Sequence, residues 1–480
     1  MPPEHSFYWH DYETFGADPA SDRPAQFAGL RTDAQLREID EPLVVYCRPA
    51  PDYLPHPEAC LITGITPQIA DERGLTEREF ITRINAEFMR PGTCGVGYNS
   101  IRFDDEFTRH ALYRNFFDPY AREWRNGNSR WDLIDVLRMA RALRPEGIAW
   151  PDHPDGRPSF RLEDLARANG IEHGNAHDAL ADVRATLALA RLLRDCQPKL
   201  FEYALRARDK NWVRGQLDYS GQKPLLHVSA RFPAENGNMA LVLPLAQHPE
   251  QSNKVIVCNL LLDPSPLERL DAARLREYLY TPSAELPADM GRVPLKELHL
   301  NRSPMIAPPA MLTPDIAARY GIDLAGCEAN RRRVCAIPGL RAKLGAVYAE
   351  AAVRATVDPE LALYGSFLPD IDRPLLERVR ACDGAALAGQ SFPFEDARLH
   401  ELLFRYRARN FPDSLDAGER ARWREHCEER LHRSPLRGGL DCQALRERVA
   451  ALRAERATDA RAQRILDAVA AWGEQRCRGD

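Results

Sequence analysis

Over residues 1 to about 195, short apolar runs alternate with stretches in which apolar residues recur every three to four positions. The short runs predict strands at 6–10, 26–31, 43–47 and 94–98, and the longer rhythm predicts helices over 77–89, 105–116, 133–142, 162–169 and 179–194. In the last of these, Leu180, Val183, Leu187, Ala190 and Leu193 form one core-facing stripe. Strands alternating with helices mark an α/β domain. From about 200 to 350 the pattern turns β-rich, with strands predicted at 225–231, 239–245, 254–261 and 295–300 between Pro, Asn and Gly punctuation. A small barrel or sandwich satisfies it. From about 355, Leu, Ala, Arg and Glu repeat with helical spacing over 375–382, 397–409, 419–431 and 442–472. Prolines between these segments favour an all-α bundle over one coiled coil.

Composition narrows this picture only a little. A chain of 480 residues is long enough for two to four domains with real cores. The net charge of −5, with 65 Lys and Arg, means that any nucleic-acid footprint is local and balanced elsewhere by acidic surface. Eleven cysteines lie between Cys47 and Cys477 without a CxxC pair, a pattern that predicts reduced packing thiols and a cytoplasmic protein. No basic, then apolar, leader is evident, and no apolar run approaches the ~20 residues of a membrane span.

The chemistry is carried by carboxylates. Asp11 and Glu13 stand one residue apart after the aromatic run Phe7-Tyr8-Trp9, and on a strand that spacing sends both to the same face. Two like charges held together call for a cation between them, and a hard divalent metal suits all-oxygen ligands. Asp104, in Asn99-Ser100-Ile101-Arg102-Phe103-Asp104, falls at a strand-to-helix junction, where it either caps the helix or joins that pair. In His177-Asp178-Ala179-Leu180-Ala181-Asp182, an imidazole precedes a helix with a carboxylate in its early turns. A surface histidine and acidic groups that complement the helix dipole would account for that segment equally well on its own. Taken together, four carboxylates and a histidine are what in-line phosphodiester displacement with two divalent ions requires, the histidine taking a proton from water near neutral pH.

These segments resemble the three motifs of the DEDDh branch of the proofreading-exonuclease superfamily. The resemblance narrows to the bacterial exonuclease I family in His10 to Gly16, Asp22 to Phe27, Leu61 to Pro67, Asn128 to Asp132, Pro158 to Glu163 and Tyr406 to Pro412. It implies a ribonuclease-H-like α/β exonuclease domain (1–195), a Src-homology-3-like β barrel (198–352) and an all-α C-terminal domain (355–478), together enclosing a groove for single-stranded DNA. It implies a processive 3′→5′ exodeoxyribonuclease of repair and recombination that releases 5′-mononucleotides. Asp11, Glu13, Asp104 and Asp182 would hold two magnesium ions, with manganese able to substitute, and His177 would be the base. Glu13 would also touch the terminal sugar. The expected partner besides DNA is the acidic C-terminal tail of the single-stranded DNA-binding protein, and the expected state is a monomer.

Substrate contacts are expected at Arg161, whose planar fork suits phosphate unless it pairs with Glu163 or Asp164. Arg109, Tyr120, Trp124 and Arg138 alternate basic and aromatic groups, as a path that grips phosphates and stacks bases does. The basic runs Arg331 to Arg333, Arg405 to Arg409 and Arg420 to Arg424 are candidates for DNA or the acidic tail, or are solvated faces. Two alternatives stay open: an exoribonuclease, for which the first 195 residues would suffice, and a catalytically inactive single-strand-binding adaptor, which would be expected to lack one of the five core groups.

Overall fold

The computed structural model describes residues 5–172, 174, 178–219, 223–287, 291–349 and 358–478. Up to residue 196 the elements are β1 (Ser6–Thr14), β2 (Pro24–Thr32), β3 (Leu43–Tyr46), α1 (Pro57–Thr63), α2 (Pro67–Arg73), α3 (Glu77–Phe88), β4 (Thr93–Gly97), α4 (Asp104–Arg114), β5 (Ser129–Asp132), α5 (Leu133–Leu143), α6 (Leu162–Ala168) and α7 (Ala179–Cys196). Two compact units emerge, Met1–Ser129 with His173–Arg184 and Arg354–Asp480, and Arg130–Glu172 with Ala185–Val353.

In the first unit β1 is central. It pairs antiparallel with β2, from Phe7 opposite Thr32 to Thr14 opposite Pro24, and parallel with β4, from Ser6 opposite Thr93 to Trp9 opposite Val96. β2 in turn pairs antiparallel with β3. Both faces of β1 are covered, which is why its pattern is nearly continuous in aromatic residues and not strictly alternating. One face packs Tyr8, Tyr12 and Phe27 against Phe80, Ile84 and Phe88 of α3 and Ala111 and Leu112 of α4. The C-terminal helices share cores with this half of the chain. Tyr113 and Phe116 are buried with Leu399, Leu402 and Tyr406, and Cys60 and Ala70 with Leu445, Val449, Leu466 and Val469.

Two expectations fail in this C-terminal layer. The stretch expected to form one helix over 442–472 is two, Cys442–Glu455 and Ala460–Cys477, because Asp459 turns its carboxylate onto the N–H groups of Arg461 and Ala462 and starts a new helix. The antiparallel return brings Cys442 and Cys477 within 6.0 Å, Cα to Cα, and they form a disulfide, so the expectation of reduced thiols throughout is wrong for this pair. The other nine cysteines form no disulfide and five of them are buried, as packing residues are.

The second unit is built on five strands in the order β10-β6-β7-β8-β9: β6 (Leu225–Val228), β7 (Met239–Gln247), β8 (Lys254–Asn259), β9 (Leu295–His299) and β10 (Met305–Ala307). Every pairing is antiparallel, as an SH3-like half-barrel has it. Trp131 is fully buried there, its indole N–H donating to the Ala204 carbonyl at 3.2 Å, and Ser303 Oγ donates to the Arg130 carbonyl at 3.0 Å. Among the described residues no helix is long and apolar enough to cross a membrane.

Candidate active site

Because Tyr8, His10 and Tyr12 turn toward the α3 and α4 layer, Asp11 and Glu13 leave β1 together on the opposite face. The β1–β2 register shifts between Glu13 and Thr14, and Gly16 follows. A Cβ on Gly16 would lie 2.2 Å from the buried Asp22 carboxylate, so only glycine lets the chain turn there.

Asp104 is the first residue of α4 and does not cap it; Phe103 is the N-cap and makes no side-chain capping bond. The Asp104 carboxylate crosses instead to β1, where Oδ1 accepts the Tyr12 backbone N–H at 3.0 Å. Thr108 Oγ1 adds a second tie, 3.0 Å from the Tyr12 hydroxyl and 2.9 Å from the Asp104 carbonyl. Next to it Asp105 forms a fully buried pair with Arg122 at 2.5 Å, and that guanidinium lies 4.4 Å over the Phe88 ring. Sequence reasoning passed over this anchor, whose only signal was a second aspartate beside Asp104.

At the start of α7, two aspartates divide the work. Asp178 is exposed and accepts the Leu180 N–H at 3.2 Å, which meets the helix end's need for an acceptor. Asp182, one turn later, faces the β1 pair. One oxygen each of Asp11, Glu13 and Asp182 lie within 4.8 Å of one another. Burial, then Asp104, Glu13 and Asp182, push the Asp11 carboxyl well above the usual range. Burial, then Asp182, Asp104 and Asp178, push Glu13 up to about 8. Carboxylates that raise one another in this way call for a cation between them, and an all-oxygen donor set fits a divalent metal. His177 lies outside the described residues.

The expected substrate contacts separate by environment. Arg109 is buried and committed: it donates to both oxygens of Glu123 at 2.7 and 2.8 Å, to Glu106 at 3.0 Å and to the Tyr364 hydroxyl at 3.0 Å. Its guanidinium also covers the half-buried Tyr120 ring at 5.2 Å. Trp124 is 60% exposed, with Arg125 at 5.7 Å from its ring centre. In the second unit, Arg138 pairs with Asp135 at 2.6 Å and lies 5.2 Å over Phe160. Arg161 is exposed, and among the described residues its guanidinium pairs with neither Glu163 nor Asp164. Of the basic runs, 331–333 and 405–409 are largely neutralised internally, whereas in 420–424 the one ion pair among the described residues joins Arg422 to Glu401. Arg331 and Arg332 bond Glu328, Arg333 bonds Asp263 and Glu268, Arg407 bonds Glu419, and Arg405 and Arg409 are buried in ion pairs.

Comparison with known proteins bears on the whole chain. Residues 8–190 match the family described as Exonuclease, 208–350 the Exonuclease I SH3-like domain, and 357–476 the Exonuclease I C-terminal domain. Exodeoxyribonuclease I of Escherichia coli K12 is 50% identical over 422 residues, covering 88% of this chain and 89% of that protein. The chain belongs to the exonuclease I family. E. coli exonuclease I in complex with a dA16 oligonucleotide superposes with a TM-score of 0.94 at 46% identity, over 98% of this chain and 100% of that one. A zinc-bound E. coli ExoI–ssDNA complex gives 0.93 at 45%, over 98% and 99%, and an ExoI/SSB-Ct complex 0.92 at 44%, over 98% and 99%. As a member of the exonuclease I family this chain is an exodeoxyribonuclease, and its acidic cluster is a metal-binding site of the DEDD type.

Proposed function

We propose that this enzyme is a magnesium-dependent, processive 3′→5′ exonuclease that degrades single-stranded DNA to 5′-mononucleotides in repair and recombination. The observation that carries it is the convergence of Asp11, Glu13 and Asp182 within 4.8 Å of one another, with Asp104 the strongest charge acting on Asp11. Asp11, Glu13, Asp104 and Asp182 would hold two magnesium ions, with manganese able to substitute, and such ions stabilise the attacking and leaving oxygens of a phosphodiester. The rest falls to the protein. His177 takes the proton from the attacking water, Glu13 holds the terminal sugar, and Arg161, exposed and without a described ion-pair partner, takes a phosphate. Trp124 offers an open face for a base, and Tyr120, under the Arg109 guanidinium, is a second aromatic surface. Arg109, held by Glu106 and Glu123, and Arg138, held by Asp135, would each serve by shaping the surface of its own unit. The stretches 1–195, 198–352 and 355–478 act as exonuclease, SH3-like and helical modules.

For the acidic tail of the single-stranded DNA-binding protein, the basic runs at 331–333 and 405–409, neutralised internally, are poor receivers. A second candidate is a cavity of about 270 Å³ in the second unit, lined by Tyr203, Asp218, Lys223, Pro224, Leu225 and Ile306 among others. Lys223 is exposed there, and a lysine at an apolar pocket recognises a carboxylate beside apolar side chains. Tail peptide should bind at low salt and weaken at least tenfold in Lys223→Glu; equal binding would rule this pocket out.

The function is tested by digesting 5′-labelled single-stranded DNA, duplex DNA and RNA side by side, with magnesium and with chelator. A ladder shortening from the 3′ end of single-stranded DNA alone, abolished by chelator, is expected. Equal or faster loss of RNA would replace the substrate assignment, and persistence in chelator would remove the metal.

A further inference from the structure

Several stretches that carry the family likeness supply no carboxylate to the centre, and two of them, 22–27 and 406–412, meet at one buried side chain. Glu360 lies in the 3-10 turn Pro359–Tyr364 and is fully buried. Its Oε2 accepts from Arg23 at 2.7 Å, and its Oε1 accepts from Arg409 at 2.6 Å and from Arg405 at 3.3 Å. Burial opposes the charge, but Arg409, Arg23 and Arg405 hold the Glu360 carboxyl far below the usual range. Arg409 extends the cluster to Asp52, at 3.0 and 2.5 Å, and Asp52 also faces His426 at 3.2 Å.

The next atoms outward belong to the frame of the active site. The Arg23 carbonyl accepts the Phe15 N–H at 2.9 Å, two residues beyond Glu13 and just past the register shift. The Arg23 guanidinium also donates to the Ser21 and Asp22 carbonyls at 2.9 and 3.3 Å, pinning the loop that leads into β2. The same 3-10 turn holds α4. The Tyr113 hydroxyl donates to the Pro359 carbonyl at 3.1 Å, and the Tyr364 hydroxyl bonds Glu106 and receives Arg109 at 3.0 Å. One turn of the C-terminal segment therefore reaches the exit of the Asp11–Glu13 strand through Arg23 and bonds directly to the helix that opens with Asp104.

We infer that Glu360 is a positioning residue for the carboxylate centre: with Arg23 and α4, the Pro359–Tyr364 turn sets Asp11 and Glu13 against Asp104, so divalent-cation uptake depends on a side chain of the C-terminal segment. The inference rests on the metal assignment proposed above. It differs from a general stabilising role, because a general role would make every break in the ion network act alike. Glu401 provides the contrast: among the described residues it pairs with Arg405 at 2.9 Å and with Arg422, but bonds neither Arg23 nor the Pro359–Tyr364 turn.

The test is calorimetric titration of the metal-free full chain with Mn²⁺, which requires no turnover. Wild type should take up Mn²⁺, Glu360→Gln should bind it at least fivefold more weakly, and Glu401→Gln should stay within twofold of wild type although both variants melt earlier. Unchanged affinity in Glu360→Gln, or equal weakening in both variants, overturns the inference and leaves the metal assignment intact. A wild type that takes up no Mn²⁺ removes the metal assignment and this inference with it. If Glu360→Gln does not fold, Arg23→Lys takes its place under the same criteria, since an ammonium cannot span Glu360 and both loop carbonyls at once.

Discussion

At Asp104, the charge and the hydrogen bond can be separated. An amide at this position still accepts the Tyr12 N–H through its oxygen but no longer repels Asp11. Asp104→Asn should therefore raise the melting temperature of the metal-free protein by roughly 2–4 °C, the shift expected for about 1 kcal/mol in a unit of this size. It should also lower kcat by on the order of 10²-fold or more, as loss of one transition-state-stabilising group does. Thermal melts in chelator and steady-state rates in magnesium check both; a variant that is less stable and fully active contradicts the account. Sequence reading placed Asp11 and Glu13 on one face because the two-residue period of a strand is geometry that any strand obeys. The segment around Asp104 alone left its role open between cap and site, because a helix start looks the same whether its carboxylate caps the helix or crosses to a strand 92 residues away, and the other motifs were needed to assign it.

Helix α4 carries a second buried group whose ionisation the fold opposes. His110 is 3% exposed, and burial, then Arg114, Arg23 and Arg109, push its pKa down to about 3, against only a backbone hydrogen bond at Glu360. A histidine whose folded pKa lies below its unfolded value of about 6.5 adds stability above that value, and this is lost as the pH falls toward the folded pKa. By pH 5 the loss amounts to about 2 kcal/mol. Denaturant unfolding at pH 7.5, 6 and 5 should show that decline in wild type and a flatter one in His110→Gln; parallel curves would show that His110 does not titrate in this window. The elements themselves were legible where the apolar period was long, as in α3 and α7. The two C-terminal helices were read as one because Ala457 and Thr458 carry no proline or glycine, leaving Asp459 as the only signal of a new start.

On the scale of the whole molecule, the order α/β, β-rich, α-rich was visible in the sequence, but not the way in which the N-terminal strands and the C-terminal helices form one compact unit. That union depends on pairs such as Arg23 with Glu360, 337 positions apart, and on the Cys442–Cys477 bond, whose spacing of 35 residues belongs to no recognised motif. The exonuclease assignment stands on the carboxylate centre inside this unit. Its most direct test is the release of labelled mononucleotide from the 3′ end of a single-stranded oligonucleotide by wild type and by Asp11→Asn across a magnesium titration. The account predicts saturable, magnesium-dependent release of 5′-mononucleotide by wild type, and at least 10²-fold slower release by the variant at every magnesium concentration. Release by Asp11→Asn at the wild-type rate would contradict it.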